Sequence, residues 1–211
     1  MKIYWIRAQA PRRVVALAKH LGIPAQFIEM GGEGRSMKTP DYARLNPNCQ
    51  APALVDGEVS LWESAAVNAY LCLKVGSDMW PSEPMEQVDV LRWISWNNRH
   101  WEEAVSPYYF EYVVKGTFRF AEPDPAELVG KDALVERHGK VLNDHLQDKS
   151  HVACDRLTIA DFQLASMACY WRAAGMPFDE FPHLVAWLDR LAQLPAWREP
   201  WPDGQADAFL R

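Results

Sequence analysis

Two short extended runs, Ala53-Leu54-Val55 and Val59-Ser60-Leu61, flank the dipeptide Asp56-Gly57. That dipeptide supplies the positive-φ chemistry of a tight hairpin turn, so the two runs pair as neighbouring strands. A proline, Pro52, stands just before the first run. Glu63-Ser64 follows the second and opens an apolar helical stretch, Ala65 to Leu73. The first N–H groups of such a helix lack intrahelical acceptors and lie at the positive end of its dipole, so they favour a carboxylate, with the Ser64 hydroxyl as a further donor. The segment from Asn46 to Leu71 therefore reads as a small-ligand site, with Ser64 as a plain helix cap the alternative.

Bulk properties narrow the classes of function. A chain of 211 residues, 49% hydrophobic with ten tryptophans, can bury a substantial core. A net charge of -6 and scattered basic residues argue against a general nucleic-acid binder. No apolar run approaches the roughly 20 residues of a membrane span, and Met1 leads straight into a strand-like segment with no signal-peptide core. The expectation is a cytoplasmic protein with neither membrane nor nucleic-acid partners. Cys49, Cys72, Cys154 and Cys169 show no metal or redox spacing and read as buried thiols, and no metal site is expected. His138 and His145, seven apart on a predicted helix, read as a surface stripe.

Periodicity and turn residues organise the chain into two parts. Lys2 to Ile6 reads as a strand, Arg12 to Leu21 as an amphipathic helix stopped by Gly22 and Pro24, and Ala25 to Glu29 as a second strand. A glycine-containing loop follows, then a short helix from Thr39-Pro40. With the hairpin and the helix after it, the order is β-α-β-α-β-β-α over residues 1–75, an α/β domain. Residues 76–84 read as a linker. Residues 85–211 read as all-α: a long helix from Met85 to Val114 kinked at Pro107, a second from Ala126 to Leu146, a third capped by Thr158 and Asp161 and running through Ala174, and a fourth from Phe181-Pro182 to Leu194. The Trp93, Trp96 and His100 stripe reads as packing.

The Ala51-Pro52 and Glu63-Ser64 pairs, together with LTIADFQLA from Leu157 and FPHLVAWLDRL from Phe181, resemble the cytosolic glutathione transferase family. The resemblance covers nearly the whole chain. It implies a thioredoxin-like N-terminal domain followed by a helical-bundle C-terminal domain, glutathione as cosubstrate, and a homodimer. It further implies that Pro52 is cis, that Ala51 presents its main-chain N–H and C=O to the cysteinyl part of glutathione, and that Glu63 and Ser64 hold the γ-glutamyl end. Gln50 also touches the ligand by this likeness, and Arg35 or Lys38 can meet the glycine carboxylate. Tyr109, Tyr112 and Trp171 are the candidates for a pocket that takes a small hydrophobic electrophile.

One departure from the family pattern bears on mechanism. Most members place a Tyr or Ser hydroxyl, and others a Cys, after the first strand, whereas Ile6-Arg7-Ala8-Gln9-Ala10-Pro11-Arg12-Arg13 holds none of these. Tyr4 lies too early and reads as structural. A free thiol near pKa 8.5 is mostly protonated at neutral pH, and shifting it by two units takes about 2.7 kcal/mol. The remaining sources are the positive end of the first helix, a guanidinium from Arg7, Arg12 or Arg13, and a neutral hydrogen bond from Gln9, with Arg12 favoured by its place in the first turn. Solvated surface arginines, or arginines paired with acids across a dimer, are the alternative. Two rival functions follow: a noncatalytic binding protein that keeps the fold, and a glutathione-dependent isomerase or dehalogenase.

Overall fold

The computed structural model describes residues 1–32, 34–205 and 207, which group into two compact units. The first comprises Met1–Asp78 with Pro195–Ala206, and the second Met79–Leu194 with the C-terminal residues from Asp207. The fold is a thioredoxin-like unit and a helical unit.

The first unit holds β1 (Lys2–Trp5), α1 (Gln9–His20), β2 (Gln26–Glu29), α2 (Pro40–Leu45), β3 (Ala53–Asp56), β4 (Val59–Trp62) and α3 (Ser64–Val75). The sheet order is β2-β1-β3-β4, with β1 parallel to β2 and antiparallel to β3, and β3 antiparallel to β4. Strand alternation sends successive side chains to opposite faces. Trp5 packs with Val15 of α1, Phe27 and Trp201, while Tyr4, Ile6 and Ile28 pack around Met30, Tyr42 and Ala53. Gly57 adopts φ +62 in the hairpin turn, as Asp56-Gly57 predicts. Thr39 caps α2 by accepting from the N–H of Tyr42 at 3.2 Å, with Pro40 in the first turn. Tyr4 is structural, its ring 5.8 Å from that of Tyr42 in an edge-on contact.

In the second unit the long helix differs from its sequence reading. It is divided into α4 (Pro84–Trp96), a π-helical turn (Asn97–Trp101), α5 (Glu102–Tyr109), a second π-helical turn (Phe110–Val114) and α6 (Lys115–Phe118). Pro107 lies inside α5, between the two wider turns. The first π turn brings i and i+5 positions together, so Trp101 stacks on Trp96 with ring centroids 6.0 Å apart. His138 is buried, its ring 5.3 Å from that of His100, and His145 packs 4.4 Å from Trp93. In place of the expected surface stripe, His138 is buried and His145 is half-buried, each against a ring of the α4–π-turn segment.

The expected Ala126–Leu146 helix is a 3-10 turn (Pro125–Leu128) followed by α7 (Asp132–His145), because Gly130 breaks it at φ +77. Then come α8 (Ile159–Ala168), α9 (Trp171–Ala174) and α10 (Pro182–Leu191). The helix expected through Ala174 ends six residues earlier, at Ala168, and the one expected to reach Leu194 ends at Leu191. Gly139 lies so close to α10 that a Cβ there would meet Phe181 at 2.6 Å. The Asn143 side chain of α7 accepts from the N–H groups of His183 and Leu184 at 2.9 and 3.3 Å, supplying the cap that Phe181 lacks.

Thr158 and Asp161 form the reciprocal capping box at the start of α8. Asp161 does more than cap. Its carboxylate also accepts from the Val152 N–H at 3.0 Å and from the Trp187 indole N–H at 2.9 Å, joining a loop, α8 and α10 in a fully buried site. Burial pushes this carboxyl above its ordinary range, and the donors oppose that shift. Replacing Asp161 by Ala leaves those buried donors without acceptors, so a loss of at least about 3 kcal/mol is expected. Chemical denaturation of the variant checks it.

Candidate functional site

The strand register brings three chain segments to one end of the first unit. Tyr4 pairs with Ala53 and Ala53 with Trp62, so the residues following β1, those preceding β3 and those following β4 leave the sheet side by side. β2, parallel to β1, sends its Gly31–Lys38 loop from the same end. The ladder ends at the Ala53–Trp62 pair, so Pro52 and Glu63 are the next residues along the two strands.

The turn before β3 is built by side chains that sequence inspection passed over. The buried Asn46 donates to the Gln50 carbonyl at 2.7 Å and accepts from the Asn48 N–H at 3.0 Å, while the Tyr42 hydroxyl donates to the same carbonyl at 2.9 Å. Cys49 stands at φ +53, half-buried. The Ala51–Pro52 bond is cis. With the Gln50 carbonyl saturated, the chain presents Ala51, whose main-chain N–H and C=O have no hydrogen-bond partner among the described residues. The local signal was Asn46-Pro47-Asn48, since Asn side chains bond nearby backbone in turns.

At the start of α3 the N-cap is Glu63, at φ +67, and its side chain makes no cap bond. Ser64 is the first helical residue, not the cap, and is buried with its hydroxyl bonded to no described residue. Glu63 is exposed and carries no ion pair among the described residues. A hydroxyl, a carboxylate and the open N–H groups of a helix start thus stand beside the open main chain of Ala51. Chemically, such a set is complementary to an α-amino acid head, since a hydroxyl and helix-start N–H groups can take a carboxylate and an acid an ammonium. The Gln50 side chain is exposed here, and Arg35 projects from the loop after β2.

The loop after β1 offers less than its composition suggests. Arg12 is fully buried and turned to the C-terminal segment, donating to the Trp197 carbonyl at 2.6 Å with its guanidinium 4.0 Å from the Trp197 ring centroid. Arg13 is buried as well and donates to Gln9 Oε1. Arg7 pairs with Asp203 and lies 5.3 Å from the Trp201 ring. Arg12 and Arg13 are thus not solvated surface residues, and Arg7 is half-buried and paired within its own unit. The N-cap of α1 is Ala8, with no side-chain cap and no acid in the first turn.

In the second unit, Tyr109 is buried 5.3 Å from Tyr170, and Trp171 is buried and stacked 5.8 Å from Phe178. Tyr112 is half-buried. A cavity of about 630 Å3 in this unit is lined by Ser106, Pro107, Phe110, Glu111, Lys115 and neighbours, not by these three. Among the described residues no cluster of His, Cys, Asp or Glu is placed to hold a metal, and no helix is long and apolar enough to cross a membrane.

The N-terminal domain of the glutathione S-transferase family matches residues 1–72, and its C-terminal domain matches residues 108–195. Among solved structures, a theta class glutathione S-transferase from Xanthomonas axonopodis pv. citri with glutathione bound is 28% identical, with a TM-score of 0.80, over 99% of this chain and 98% of that one. A possible glutathione S-transferase from Rhodopseudomonas palustris is 26% identical at a TM-score of 0.81, over 98% and 93% of the two chains. A glutathione transferase from Populus trichocarpa shares the fold at 20% identity and a TM-score of 0.83, over 94% and 96%.

The buried Tyr42 phenol has a pH signature. Burial, then Tyr4 and Cys49, push the phenol up to about 12. A folded value above the unfolded one, about 10, means that the neutral form is preferred in the fold. The stability it contributes is complete below about pH 10 and is lost as pH rises from there towards the folded value. Tyr42→Phe is expected to lower stability by about 0.5–1.5 kcal/mol at neutral pH and to flatten that alkaline loss, as followed by thermal melting against pH.

Proposed function

The chain belongs to the glutathione S-transferase family, and we propose that it binds glutathione at the Ala51 turn and directs the thiolate at a small hydrophobic electrophile, as a homodimer. The observation that carries this reading is the set of free groups at the end of the β3–β4 ladder: the Ala51 main chain, the Glu63 carboxylate and the Ser64 hydroxyl. Ser64 and the α3 N–H groups take the γ-glutamyl carboxylate, Glu63 its ammonium, and Ala51 pairs with the cysteinyl residue like an added strand. Gln50 borders the same turn, and Arg35 meets the glycine carboxylate by charge. The glutathione-bound Xanthomonas relative supports the choice of ligand.

Thiol activation falls to the start of α1. Arg7 and Arg12 are committed to the C-terminal segment, so they act on the sulfur through their potential and not by contact, while Gln9 stands at the first helical position. A helix N-terminus contributes about 0.3–1 kcal/mol, and up to about 2 when partly buried. That lowers a thiol pKa by roughly 0.2–1.5 units, short of the two-unit shift a dedicated hydroxyl would be asked for. The enzyme is therefore a weak thiol activator. Tyr112 is the half-exposed aromatic for the electrophile, backed by Tyr109 and Trp171.

The noncatalytic reading is favoured by one observation, the lack of any hydroxyl or thiol between Ile6 and Arg13. The two readings part in one titration. Thiolate absorbance of the bound glutathione should show a pKa depressed by about a unit for the enzyme, whereas a binder leaves it at the free value. Isothermal titration calorimetry should detect glutathione binding at or below millimolar concentration; no binding there defeats both. Ser64→Ala should weaken that binding by about 1–3 kcal/mol, the scale of a hydrogen bond to a charged group.

A further inference from the structure

Residues 195–206 group with the first unit, and their contacts fall on β1 and α1. The short helix α11 (Pro195–Arg198) packs along α1. Arg12 reaches the Trp197 carbonyl and ring, Arg7 pairs with Asp203, and Lys19 donates to the Glu199 carbonyl. Trp201 is 4% exposed and stacks on Trp5, ring centroids 5.5 Å apart and planes 22° apart, with the Arg7 guanidinium 5.3 Å from its own ring centre. Apart from Lys19, these contacts bracket the Ile6–Ala8 loop: Trp5 ends β1, Arg7 lies in the loop, and Arg12 lies in the first turn of α1.

The bracketing matters because of what α1 lacks. Its N-cap is Ala8, which bonds nothing by its side chain, so the helix start has no local device to hold it. A side-chain hydroxyl can rotate to follow a ligand atom. A backbone N–H points only where its helix points, and a hydrogen bond weakens steeply off line. A site whose donors are main-chain groups therefore depends on whatever fixes the helix start from behind.

We propose that the C-terminal strap is the positioning element for the glutathione thiol, with Trp201 as its main positioning residue. By stacking on Trp5 and covering Arg7, Trp201 holds the Ile6–Ala8 loop and the first turn of α1 where the N–H groups meet sulfur. The strap stands in for the missing cap. This rests on the glutathione reading of the site.

The test uses the full chain and four proteins: wild type, Trp201→Leu, Trp201→Phe and Lys19→Ala. Leu keeps an apolar but smaller side chain and loses the stack, Phe keeps a stacked ring, and Lys19→Ala releases the strap only at the far end of α1. Melting temperature, affinity for S-methylglutathione and the pKa of the bound glutathione thiol are measured for each. In Trp201→Leu the thiol pKa should rise by about half a unit, part of the helix-end contribution lost when the donors are misaimed. Affinity for S-methylglutathione, which has no ionisable thiol, should change less than about twofold, since Ala51, Glu63 and Ser64 still hold the ends of the tripeptide. Trp201→Phe should restore the wild-type thiol pKa, and Lys19→Ala should lower the melting temperature alone. An unmoved thiol pKa in Trp201→Leu overturns the strap's role, as does an equal rise in Lys19→Ala. Failure of wild type to bind glutathione removes the site itself; normal wild-type binding with an unmoved variant removes the strap alone.

Discussion

The antiparallel pairing of β3 with both of its neighbours is the constraint on which the candidate site depends. Lys2, Ile3 and Tyr4 pair with Val55, Leu54 and Ala53, and Ala53 to Asp56 pair in turn with Trp62 to Val59. A one-residue slip in either ladder would turn every side chain of that strand to the opposite face. It would also shift Ala51 from its place opposite the start of α3. The hairpin turn at Gly57 and the burial of Leu54 and Ala53 guard against such a slip. The site is thus made of main-chain groups and short polar side chains, and its geometry is a consequence of sheet register.

Around that register, the rigid parts are tied by buried polar groups. Asn46 and Tyr42 saturate one carbonyl and so define the turn from which Ala51 projects. In the helical unit, Asp161 plays the corresponding part, joining the Thr158 cap, the Val152 loop and the Trp187 indole. Unpaired, any of these donors or acceptors would cost about 1–3 kcal/mol. Each such group specifies one arrangement of the segments it joins and penalises the others.

A member of the glutathione S-transferase family with no hydroxyl or thiol between Ile6 and Arg13 poses a physical question about how a bound thiol would be ionised. The arginines near the first helix are an obvious answer by composition, yet burial turns Arg12 towards Trp197 and an acid engages Arg7. Stacking of those guanidinium groups on tryptophan rings and their charge-assisted bonds leave little reach towards a ligand. The main chain of α1 is left as the proposed donor, with a smaller effect on the thiol than a dedicated side chain would have.

By itself the sequence determined the secondary elements of the first unit, the hairpin, the two-part organisation, the Thr158-Asp161 cap and the family, because each rests on short-range chemistry: strand alternation, a Gly turn, a capping pair, an ordered set of motifs. It did not disclose the two π turns, the break at Cys169-Tyr170, the burial of His138 or the fate of the arginines. Only the tertiary structure decided that residues 195–206 leave the helical part to pack on β1 and α1, and that Arg7 and Arg12 face them. Those outcomes depend on partners about 190 positions away in the chain, and no local pattern records which distant surface will bury a guanidinium.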